Sequence, residues 1–317
     1  MRRASNTCRL GILAVFLSAS AYGQAIVLDK GQTTAGLSYQ HTFVRWHVQP
    51  DGKKLDLGHI MAYTIRPDVS YGLTDRITLD GDAAFIAAKY VTSGGTFPGG
   101  PHGPSDDGTF HATLQDFHLG LRANVMMRPL AVTPFVQLTV PSHHYQLEGH
   151  TAVGRDKLEL TFGTWAGRDI GPLAPNAFIE GMASHTLVQR TTTAIASERL
   201  NRTNGSLEVG YYLTPSLSLR VFGNGVRTHG GWTFAEPPPD IAEHDRFDKT
   251  KDIQLGGVVS YTFRSGFGVY GGYFTTVWAR TAHALAGPTV GLSWTPRPHQ
   301  SWLARMRTRP ALLLADL

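Results

Sequence analysis

Charged side chains at every second position are the first feature of this sequence with chemical meaning. Between Val69 and Phe85, Asp80 and Asp82 alternate with Leu79, Gly81 and Ala83, and the preceding segment adds Arg66 and Asp68. Residues two apart on a strand share a face. The pattern returns in Asp116, His118 and Arg122, and again in Glu159, Glu180, Glu208, Arg220 and Asp252. Opposite signs on neighbouring strands would cross-link into a lattice, or line a narrow aqueous path and set its selectivity. A carboxylate pair such as Asp80 and Asp82 could also suggest glycosidase chemistry, but any polar sheet face looks the same, so no catalytic residue is assigned.

Histidine is the second candidate. His41, His47, His102, His111, His143, His144, His150, His229 and His244 fall in or near predicted loops and strand ends. Their spacings match no zinc motif, so they read as surface polar residues, with no metal and no other cofactor expected. A lipid-modifying barrel enzyme, phospholipase or deacylase, is the rival from another class. It would place His and Ser two apart beside an Asn or acidic orienter. Ser142 adjoins His143 and Ser184 adjoins His185, but neither pair has the His-x-Ser spacing, and there is no Gly-x-Ser-x-Gly. A structural or adhesive barrel is a further alternative.

Long strands must position these residues. Val69 and Tyr71 alternate with Ser70 and Gly72, Leu73-Thr74-Asp75-Arg76 turns the chain, and Ile77 resumes the alternation, which is a β-hairpin. Similar segments lie near 33–48, 56–73, 76–92, 110–128, 130–146, 155–171, 176–191, 204–214, 217–230, 248–264, 267–281 and 284–295. Each exceeds the usual soluble strand of about 5–6 residues. Connections alternate between tight turns, such as Thr214-Pro215-Ser216, and long polar links near 93–109, 143–154, 191–203 and 231–247. Short turns on one side and long loops on the other are the pattern of an outer-membrane barrel. The expected fold is all-β, an up-and-down transmembrane antiparallel barrel of about twelve strands. Its lumen is polar, loops 93–109 and 231–247 gate the outer mouth, and aromatic residues such as Tyr39, Phe43, Trp46, Tyr211 and Trp294 form interfacial girdles.

Residues 1–23 read as a signal peptide: Arg2, Arg3 and Arg9, the apolar run Leu10 to Leu17, and small residues at Ala21 and Gly23 that suit cleavage before Gln24. The one cysteine, Cys8, lies inside it, so the mature chain has no thiol and no disulfide. Cleavage removes three arginines and no acid, so 29 basic against 24 acidic side chains becomes 26 against 24. That balance gives no basis for a nucleic-acid partner. Residues 24–296 form one barrel domain, and 297–317, with Arg297, Arg305, Arg307 and Arg309, a periplasmic tail. The expected location is the outer membrane, with its lipid and a small-molecule solute as partners.

The YGLTDRITL turn, the run Pro134-Phe135-Val136-Gln137-Leu138-Thr139-Val140-Pro141 and Gly210-Tyr211-Tyr212-Leu213-Thr214-Pro215 resemble the MetA-pathway of phenol degradation family of outer-membrane proteins. The resemblance covers most of the mature chain. It implies a Gram-negative outer-membrane barrel acting as a channel or transporter, often linked with uptake of aromatic compounds, and it supplies no catalytic or binding residues. Val290, Leu292 and Trp294 resemble the terminal-strand signal read by the barrel assembly machinery.

Overall fold

The computed structural model describes residues 24–56, 58–92, 106–145, 149–192, 197–233 and 247–296. The signal segment 1–23, the tail 297–317 and most of the two expected gating loops lie outside the described residues. Twelve long strands follow one another: β1 Thr33–Val48, β2 Gly58–Gly72, β3 Ile77–Thr92, β4 His111–Ala123, β5 Ala131–Pro141, β6 Glu159–Asp169, β7 Ala177–Val188, β8 Arg202–Tyr212, β9 Leu217–Thr228, β10 Lys251–Thr262, β11 Phe267–Arg280 and β12 Ala282–Trp294. Every neighbour pairs antiparallel, and β12 closes on β1 from Ala35↔Trp294 to Val48↔Ala282. The protein is a closed twelve-stranded up-and-down barrel, the architecture expected from the alternation. Closure leaves no open sheet edge.

Turn chemistry repeats at one end. Thr74 Oγ1 accepts from the N–H groups of Arg76 and Ile77, and Thr214 Oγ1 accepts from Ser216 and Leu217. A hydroxyl that caps its own turn in this way favours the tight connection between β2 and β3 and between β8 and β9. The opposite end carries the long loops. Two strands stop short of their expected limits there: the wall ends at Pro141 and resumes at Glu159, because residues beyond Pro141 turn inward.

Leu119, Leu207, Val221, Val259 and Tyr273 are each at least half exposed on the outer face. In water each large apolar side chain left exposed forgoes about 1.5–3 kcal/mol of burial. A lipid-facing wall removes that penalty, whereas a soluble barrel would carry its polar residues outside.

Candidate functional site

The lumen is zoned along the strands. In its turn-end half, Asp68 on β2 stands directly opposite Asp82 on β3. Like charges so placed repel. Arg66 Nε approaches Asp82 at 3.4 Å and His118 Nδ1 at 2.8 Å, which offsets the repulsion. Gly36 lets Asp68 lie flat against β1, since a Cβ there would meet its carboxylate at 2.3 Å. Asp80 accepts from Ser70 and is gripped on both oxygens by Arg122, at 2.7 and 2.8 Å. Glu180 on β7 and Glu208 on β8 form a second opposed acid pair. Arg220 Nη1 lies 3.6 Å from Glu208.

The N-terminal segment fills part of this half. Both Glu180 oxygens accept backbone N–H groups, from Gln24 at 2.9 Å and Ala25 at 2.8 Å. Arg122 Nη1 donates to the Gln24 carbonyl and to its Oε1. Thr133 and Asn124 donate to the Ala25 carbonyl, and Thr78 accepts from Leu28 N–H. Ala25, Ile26, Val27 and Leu28 are buried, with Ala25 and Ile26 against Met127 and Phe178. The residues that follow the expected cleavage point therefore narrow the turn-end mouth.

The loop-end half corrects the expectation of a uniformly polar lumen. The inward face of β3 runs from Thr78, Asp80 and Asp82 to Ala84, Ile86, Ala88 and Tyr90 without changing parity. Val44, Ile60, Phe222, Val258, Phe274 and Leu285 join them in an apolar wall. The segment between β5 and β6 inserts against it through Tyr145 and Val153, and the Tyr145 hydroxyl donates to Asp116 at 2.8 Å. His47 and His150, read from sequence as surface polar residues, are buried instead. His150 stacks on Tyr90 with ring centroids 4.0 Å apart and pairs with Asp106 at 2.7 Å. His283 stands 5.0 Å from His47, ring to ring. His102 and His244 lie outside the described residues.

Of the remaining inward charges, Glu159 is held on both oxygens by Arg202, and Asp252 accepts from Gln254 at 3.3 Å. Sequence reasoning missed Arg202, Arg155 and Asp248, which join this loop-end cluster. Burial lowers the Arg155 guanidinium to about 10, helped by the neighbouring charge of Arg202. Burial holds the Asp248 carboxyl well above its usual range, against the pull of Arg155. Burial, and then the Asp116 charge, raise the Tyr145 phenol as well. The sole sequence signal for Arg202 was its place two residues before the expected start of β8.

Ser142 Oγ lies 2.8 Å from His143 Nδ1. The other ring nitrogen meets the Thr113 hydroxyl at 3.1 Å, where a triad would need a carboxylate or amide, and Ser142 Oγ also donates to the Leu114 carbonyl. Ser184 is buried on the inner face, and the His185 ring bonds to Thr203 instead. Among the described residues no group of three or more His, Cys, Asp or Glu side chains is arranged to hold a metal ion.

No family model and no curated protein matches the chain. Among solved structures it is similar to the COG4313 outer membrane channel from Pseudomonas putida F1, with a TM-score of 0.67 and 13% identity over 86% of this chain and 98% of that one. Looser likenesses are the translocator domain of the autotransporter NalP from Neisseria meningitidis, at TM-score 0.49 and 10% identity over 84% and 89%, and the NanC porin, at 0.48 and 10% over 81% and 98%. At 13% identity the likeness is one of fold: this chain has a closed barrel of the outer-membrane kind.

Proposed function

We propose that the protein is an outer-membrane channel for passive uptake of small molecules that are poorly hydrated, aromatic ones included. The observation that carries this reading is that the loop-end half of the lumen has an apolar wall beside its own charged cluster, whereas the turn-end half is a charged lattice. An apolar wall receives a solute with little water to lose, and the charges beyond it discriminate among what passes. The inserted loop around Tyr145 and Val153 occupies that wall and acts as the gate; its displacement opens the path. The N-terminal segment narrows the other mouth. Nothing at the charged pairs resembles a covalent or acid-base constellation, so the reading is transport and not catalysis.

The test is permeation into proteoliposomes. The reading predicts faster entry of a small neutral aromatic alcohol than of a sugar of equal size. Replacing Phe222 and Phe274 by Ser should reduce that preference. Equal rates for both solutes, unchanged in the variant, would remove the assignment of solute class.

A further inference from the structure

The outer face of the barrel carries a line of cations with no acid among them. On β9, β10 and β11, Arg227 is the cross-strand partner of Lys251, and Lys251 of Arg280. The same row continues through Thr203 on β8 to His185 on β7. His229, just past β9, closes the end: the Thr203 hydroxyl lies 2.8 Å from His229 Nε2 and 3.1 Å from His185 Nδ1. Arg227 and Thr203 are exposed, and the others are half-buried.

Like charges placed directly opposite on neighbouring strands destabilise a sheet. Two such pairs in succession cost stability unless an anion lies across them. Inside the lumen each opposed acid pair has its own cation, but no salt bridge joins any member of this outer row to a carboxylate among the described residues. The His229 imidazole is held below its usual range, by burial and then by Arg227 and His185, as expected in an uncompensated positive field. Immediately nearer the barrel middle the outward positions are small: Ala183 pairs with Gly205, and Gly205 with Gly225. They form a shallow trough beside the exposed side chains of Leu207 and Ile253. An anion beside an apolar trough on a lipid-facing wall is a headgroup with its chains.

We propose that this row binds the phosphate groups of lipids in the outer leaflet, with acyl chain packed in the trough. The site is on the outside of the wall, so it stands whether or not the lumen conducts.

The experiment uses the full barrel in neutral detergent and native mass spectrometry. Bisphosphorylated lipid A should stay bound, and lipid A stripped of its phosphates should not. The double variant Arg227→Gln, Lys251→Gln should weaken retention at least about tenfold, because each cation lost from a charged membrane surface removes a large share of the attraction. Binding should also raise the His229 pKa, read from its ring resonances in the unmodified protein. Equal retention of the two lipids would overturn the proposal. So would displacement of the lipid by millimolar inorganic phosphate, which would make this a free-anion site. Conductance of the double variant should match the parent.

Discussion

Asp68 and Asp82 face each other directly across β2 and β3, inside the barrel, with Arg66 and His118 converging on the second of them. Removing one cation leaves two carboxylates opposed in a restricted interior. Arg66→Gln is therefore expected to destabilise the barrel by about 3 kcal/mol, the usual cost of breaking a buried ion pair. Adding Asp68→Asn should restore part of that loss, and urea unfolding of the two variants checks it. No recovery in the double variant would mean that the opposed acids do not set the role of Arg66.

Two of the inward arginines singled out by sequence, Arg122 and Arg220, have different surroundings. Arg122 clamps Asp80 and the Gln24 carbonyl together, whereas Arg220 Nη1 stands 3.6 Å from Glu208. Arg122→Ala should lower stability by about 2 kcal/mol, less than a fully buried pair because Asp80 is partly open to the lumen, and should widen the conducting path by freeing the N-terminal segment. Arg220→Ala should mainly shift selectivity towards cations, read from the reversal potential in a salt gradient. A large stability loss with unchanged selectivity at Arg220 would make it a lattice member.

The Asp248 carboxyl is raised by burial above its ordinary 3.8. A group whose folded value is raised favours the folded state fully below its unfolded value, and that advantage is lost as pH climbs through the folded value. Thermal stability of the loop-end cluster should therefore decline from about pH 4 upward, and Asp248→Asn should flatten the decline. Heat-modifiability midpoints across that range measure it. A parallel pH profile in the variant would remove Asp248 as the cause.

Among the described residues Ser142 and His143 meet without an acidic orienter, Thr113 taking the other ring nitrogen. Purified protein is accordingly expected to release no fatty acid from phospholipid or lipid A. Turnover that disappears in Ser142→Ala would move the protein to the enzyme class.

Much of the wall was legible because alternation is a local property. Ile77 to Phe85 shows its two faces without any knowledge of the rest of the chain, and the Thr74 and Thr214 turns are set by their own hydroxyls. Period two says which residues share a face, but not that the face changes from Asp80 and Asp82 to Ile86 and Tyr90 part-way along. The insertion of Tyr145 was hidden for a related reason. The expected strand runs on to residue 146, and the inward turn rests on distant partners, the apolar wall that includes Ile60, Phe222 and Phe274 and the bond from Tyr145 to Asp116. His150 followed that movement into the interior, where it meets His47 of β1. Gln24 to Leu28 looked like the start of a mature chain, and their seat on Glu180 and Arg122 depends on contacts about a hundred or more residues away.

Single-channel recording in planar bilayers tests the central claim most directly. The parent protein should give small, discrete conductance steps, because a twelve-stranded barrel is narrower than the 16–18-stranded porins and two inserted segments occupy it. Replacing Tyr145 and Val153 by Ser, which weakens the loop's hold on the apolar wall, should enlarge those steps or lengthen the open state. A bilayer that stays silent with the folded parent and with that variant alike would contradict a channel.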